Sequence, residues 1–187
     1  MNMEPSPINR YLQSGEQTNI TPRLEEATKG FRGSLSEQIS GILAFVKTFP
    51  NKGFNISNFR KRTSDEILRD GYITGCSDSA LLFIALARAL HLPTKYIEAL
   101  DKEWLENGGS TIRGHVYARI YDITQEKWLL VDPMGSFDTP KPEKRVFVSE
   151  GLDSWDIGIH DFESMRIKAA EFRREWLTKL QHKKLTT

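Results

Sequence analysis

Gly75-Cys76-Ser77-Asp78-Ser79-Ala80-Leu81-Leu82-Phe83-Ile84-Ala85-Leu86-Ala87-Arg88-Ala89-Leu90 is the stretch whose reading sets the fold. From Ala80 onward it is apolar almost all round, and a helix of that kind belongs inside a domain, not on its surface. Pro93 cannot continue the helix, and Thr94 to Leu100 alternates as a strand does. Cys76 therefore stands at the N-terminus of a buried helix, behind a glycine that lets the backbone come close to a substrate.

Upstream, Ser34-x-x-Glu37 is a capping box, and Leu35, Ile39, Ile42, Leu43 and Val46 follow at helical spacing until Pro50. Residues 51–62 read as a loop, and a second capping box, Thr63-x-x-Glu66, starts a short helix that Gly71 ends. Downstream, a polar stretch closes in Asn107-Gly108-Gly109-Ser110. His115 to Tyr121 and Trp128 to Asp132 then read as the two strands of an antiparallel hairpin. A four-residue loop at 122–125 would pair 120 with 127 and set His115 directly opposite Asp132 on one face, with Cβ atoms about 5 Å apart. A slip of one residue would send the two side chains to opposite faces.

Pro133 to Pro142 is a punctuated loop, and Val146-Phe147-Val148 a short apolar segment. Phe162, Met165, Ala169, Phe172 and Trp176 mark an amphipathic helix beginning at Asp161 that closes over the domain. The expected organisation is an N-terminal arm over 1–20, one α+β domain over 21–180 and a frayed tail over 181–187.

The chain has 187 residues, long enough for a core that buries about 70% of the unfolded surface. One cysteine cannot form an internal disulfide, which makes a reducing compartment the simpler expectation. Lys plus Arg number 26 against 25 Asp plus Glu, a balance that argues against a nucleic-acid surface. The N-terminus lacks the basic and apolar regions of a signal peptide, and the apolar run Ala80 to Ala87 is far shorter than the ~20 residues of a membrane span. The expectation is a cytoplasmic protein with no membrane or nucleic-acid partner. His91, His115, His160 and His182 make no HxxxH pairing and there is no CxxC, so neither a metal nor another cofactor is expected.

The chemistry centres on Cys76. A thiol reacts as its thiolate, which helix N–H groups and a neighbouring imidazolium both favour. His115 is the candidate base and acid, Asp132 the group that orients its ring, and the N–H of Cys76 a donor for a developing oxyanion.

Three ordered blocks resemble the transglutaminase-like core: Gly75-Cys76-Ser77-Asp78-x-Ala80-Leu81-Leu82 with Ala87-Arg88-Ala89-Leu90-x-Leu92-Pro93, then Gly114-His115-Val116-Tyr117-Ala118, then Trp128-Leu129-Leu130-Val131-Asp132-Pro133. The resemblance implies a papain-like fold, with the cysteine helix packed on an antiparallel sheet. It also implies a Cys-His-Asp triad of Cys76, His115 and Asp132 performing acyl-enzyme chemistry on a protein or peptide amide. Hydrolysis is favoured over Gln-Lys cross-linking, because nothing in the sequence specifies an amine-binding pocket. The rival from another class is a catalytically silent peptide-binding module of the same fold; a second enzyme alternative is acetyl transfer from a thioester. At 187 residues the expectation is a chain without the added β-domains of the animal cross-linking enzymes.

Other positions carry weaker signals. Asn51, Asn55 and Tyr72 are the candidates for a side-chain oxyanion donor. Asp78 favours the helix but opposes a thiolate two residues away. Trp104, Trp128 and Trp155 are candidates for a cleft wall, His91 fits a helix end, and Arg60-Lys61-Arg62 reads as solvated surface.

Overall fold

The computed structural model describes residues 8–135 and 142–185. The notable elements are α1 (Pro22–Thr28), α2 (Leu35–Lys47), α3 (Ser64–Asp70), α4 (Cys76–Ala89), β1 (Thr94–Asp101), α5 (Lys102–Asn107), β2 (Gly114–Asp122), β3 (Lys127–Val131), β4 (Arg145–Gly151) and α6 (Phe162–Leu185). Part of the expected loop after Pro133 and both ends of the chain lie outside the described residues. The four strands form one sheet in the order β3-β2-β1-β4, every neighbouring pair antiparallel.

Both capping boxes form as read, with Ser34 and Thr63 accepting from the N–H groups of Glu37 and Glu66. Every residue from Ala80 to Ala87 is fully buried. Leu24 of α1, Ile39 and Ile42 of α2 and Ile67 of α3 surround α4 on one side; Tyr96, Val116, Ala118 and Ile120 of the sheet close the other. On the far face of the sheet Tyr117 packs with Ile97, Ala99 and Phe147. A smaller core, Leu100, Trp104, Leu105 and Ala169 with Met165, Phe172 and Trp176, fixes α6 against α5. This is the α+β, papain-like architecture.

The hairpin register departs from expectation. Ala118 pairs with Val131, Ile120 with Leu129 and Asp122 with Lys127, so the loop is 123–126 and the ladder is displaced by two residues. Because side chains alternate with a period of two, an even displacement leaves His115 and Asp132 on the same face but makes them diagonal neighbours instead of direct partners.

Polar contacts far apart in sequence fasten the frame. Arg88, almost fully buried at the end of α4, donates to the Thr94 and Leu152 carbonyls and to Thr18 Oγ1. Asp153 Oδ2 accepts from the N–H groups of Gln17 (3.0 Å) and Thr18 (3.2 Å). Gln17 Nε2 in turn donates to the Arg60 and Arg62 carbonyls, both at 2.9 Å. A Cβ on Gly15 would collide with Asp153 Oδ2. Gly15→Ala is therefore expected to push Asp153 off its donors and lower stability by about 1–3 kcal/mol, a fall in Tm of several degrees in a thermal melt.

Candidate active site

The helix start that carries Cys76 is shaped by Gly75, whose φ of 146° and ψ of −162° form a conformation that side chains disfavour. Ser79 donates from both its N–H and its Oγ to the Gly75 carbonyl, holding that turn. Cys76 is the first helical residue, so its N–H has no partner within the helix, and its thiol is half-buried.

The structure brings Cys76, His115 and Asp132 together. His115 Nε2 lies 3.0 Å from Asp132 Oδ1, and the Cys76 thiol, which lines the same cleft as His115, is near enough to favour the charged ring. The imidazole packs edge-on against Tyr117 at 4.6 Å between centroids, which limits its rotation. Burial works against a charged ring here. Asp132 and Cys76 outweigh it and hold the His115 pKa up at about 9. Burial likewise raises the Asp132 pKa, but His115 and the N–H groups of Met134 and Gly135 bring it below the usual carboxylate range.

The surroundings of the sulfur correct two readings. Asp78 does not face the thiol as an open charge: it is buried, accepts from Thr74 N–H (2.8 Å) and Thr74 Oγ1 (2.7 Å), and is ion-paired with Arg62. Arg60 and Arg62 are not solvated surface but 3% and 7% exposed. Arg60 has φ +56° and its carbonyl accepts from Gln17 Nε2 and from Trp155 Nε1 (2.7 Å), which turns the guanidinium inward. There Nη2 donates to Glu98 Oε1 at 3.0 Å and Nη1 lies 2.7 Å from Oε2, while the Tyr96 hydroxyl donates to Oε2 at 3.1 Å. Burial opposes the Arg60 charge, and Glu98, Tyr96 and Cys76 raise its pKa regardless. An Arg-Lys-Arg run carries no periodic sign of burial, and these two side chains had no signal of their own in the sequence.

Cys76 lies where two clefts meet. The larger, about 720 Å³, also takes in His115; the smaller, about 280 Å³, takes in Asn51, Thr74 and Gly75. Asn51 Oδ1 already accepts from Gly53 N–H, so its amide N–H groups remain to donate into the smaller cleft. Asn55 Oδ1 is used by Ser57 N–H, and the Tyr72 ring lies beneath Lys52 and Arg62; neither lines these clefts. Of the three tryptophans only Trp104 is a wall. Trp128 packs between Tyr11 and Tyr121, and Trp155 holds Arg60 and stacks on His160. His91 caps the end of α4 through its N–H to the Arg88 carbonyl.

A family model described as the transglutaminase-like superfamily matches residues 25–133, more than half of the chain and inclusive of all three site residues. The chain belongs to the transglutaminase-like superfamily. No curated protein matches it in sequence. Among solved structures it is similar to a candidate cysteine protease from Cytophaga hutchinsonii, with TM-score 0.64 and 17% identity over 84% of this chain and 51% of that one. It is also similar to the periplasmic domain of TgpA from Pseudomonas aeruginosa bound to ethylmercury, with TM-score 0.53 and 15% identity over 71% of this chain and 50% of that one. At these identities the likeness is one of fold, and this transglutaminase-like chain spans about half the length of those structures. Among the described residues no helix is long and apolar enough to cross a membrane.

Proposed function

We propose that the protein hydrolyses an amide in a peptide or protein through a thioester on Cys76. The observation that carries this reading is the chain of contacts from Cys76 through His115 to Asp132, placed at a helix start where two clefts converge. The sulfur, its proton held by His115, attacks the amide carbonyl carbon and forms a C–S bond. The carbonyl oxygen takes the negative charge beside the Cys76 N–H and the Asn51 amide. As the C–N bond breaks, His115 gives its proton to the departing amine. The now neutral ring accepts a proton from water, whose oxygen attacks the thioester, and release of the acid restores the thiolate and the charged ring. Asp132 keeps the imidazole oriented and stabilises its charged form throughout.

Two clefts flanking the sulfur suit a polypeptide lying through the site with water as the acyl acceptor. The lone thiol is most simply kept reactive in a reducing compartment such as the cytoplasm. Exposure of the protein to activated peptide esters, followed by intact-mass analysis of rapidly acid-quenched samples, is expected to show an acyl adduct on Cys76 that is absent in Cys76→Ala and that decays in water. Failure of any adduct to form, or its persistence in Cys76→Ala, would overturn the reading. Transfer of the acyl group to an added amine in preference to water would reassign the enzyme as a transferase.

A further inference from the structure

The larger cleft is more apolar than acyl transfer at Cys76 requires. Phe54, Phe59 and Phe162 line it as a cluster of three rings whose centroids lie 5.6 to 5.9 Å apart, and Leu100, Trp104 and Met165 add to its walls. Phe54 nevertheless remains 63% exposed. The cationic side chains in the lining are already matched: Arg60 with Glu98, Arg166 with Glu163 and His115 with Asp132.

Among the described residues the exposed large hydrophobics are Phe54, Ile56, Ile123, Met134 and Ile167. Of these, Phe54 lines the cleft. Ile123 is remote from it, at the hairpin turn on the opposite end of β2 from His115. An apolar cavity of this size with an exposed aromatic ring in its wall marks a place where a partner is bound, and the candidate nucleophile is part of its lining.

We propose that this cleft is a subsite for a large, uncharged, preferably aromatic side chain that a polypeptide substrate carries beside the amide attacked by Cys76. The inference rests on the reading of Cys76 as the nucleophile. Burial of one aromatic side chain against the three rings corresponds to roughly a 10- to 100-fold advantage over glycine.

The test uses capped dipeptide chloromethyl ketones that differ only in the residue next to the reactive carbon, with iodoacetamide as a reagent too small to use the cleft. In each reaction the sulfur forms a C–S bond and a halide leaves, so intact mass gives the rate directly. The phenylalanine reagent is expected to react about 10- to 100-fold faster than the glycine one, and aspartate and lysine reagents no faster than glycine. Phe54→Ser, a change at an exposed position, is expected to cut the phenylalanine advantage severalfold, and Ile123→Ser to leave it intact. A phenylalanine advantage under threefold, or one unaltered in Phe54→Ser, would overturn the subsite while rapid reaction with iodoacetamide left the nucleophile standing. Failure of Cys76 to react with any reagent would remove both.

Discussion

His115→Ala is expected to slow alkylation of Cys76 by about 10- to 100-fold at pH 6.5 and to leave the rate at pH 10 nearly unchanged. A thiol with no cation beside it is on the order of 1% ionised at pH 6.5, whereas one beside an imidazolium is held largely as the reactive anion. At pH 10 an ordinary thiol needs no neighbouring cation to ionise, so the two proteins are expected to converge. His115 is suited to this role over an unusually wide range, because Asp132 and Cys76 hold its pKa at about 9 despite burial. The same shift gives the pH dependence of stability. The charged ring is favoured in the folded protein relative to the unfolded chain. Its stabilisation is therefore complete below about pH 6.5 and is lost as pH rises through about 9. Thermal melts of the natural protein are expected to fall across that window, and those of His115→Ala to fall less. Hydrolysis should decline above pH 9 as well, because the ring then has no proton for the departing amine. Equal alkylation rates at pH 6.5 would remove His115 from the chemistry.

What could be read in the sequence was what local periodicity and local chemistry control. The buried helix from Cys76, both capping boxes and the strand after Pro93 all depend on neighbours within a few residues, and all form. The short helices α1 and α5 leave no periodic mark in the sequence. Seven residues behind Thr21 and six behind Asp101 are too few for a period to show, although Thr21-Pro22 is a legible helix start. The hairpin ladder needed more than alternation: the pattern fixes which face a residue takes, so an error of two residues passes without any violation. The side chains that build the site from a distance left no trace. Arg60 is turned inward by Gln17, 43 residues before it, and by Trp155, 95 residues after it, and nothing near position 60 records either. The cleft is likewise assembled from the 51–62 loop, the start of β2 and the first turns of α6, whose meeting is a property of the packed fold.

Replacing Glu98 by leucine is expected to cost about 3–5 kcal/mol, a fall in Tm of roughly 6–20 °C for a chain of this size. The cost arises from what remains. Arg60 and Glu98 are each 3% exposed, so removal of the carboxylate leaves a guanidinium buried with no counter-charge and the Tyr96 hydroxyl without its acceptor. Arg60 already has a buried Nε with no hydrogen-bond partner among the described residues, so it has little reserve of polar contact to fall back on. The double variant Arg60→Met, Glu98→Leu is expected to regain most of the loss, since apolar side chains of similar volume need no desolvated charge to be matched. The exposed pair of Lys29 and Glu26 provides the contrast. Its ions approach as closely, yet both side chains are more than two-thirds exposed, and Glu26→Ala is expected to leave the melt where it was. Distance alone would rank the two pairs together; burial separates them. A Glu98→Leu melt as high as that of Glu26→Ala would mean that water reaches Arg60 and takes over the role of its counter-charge.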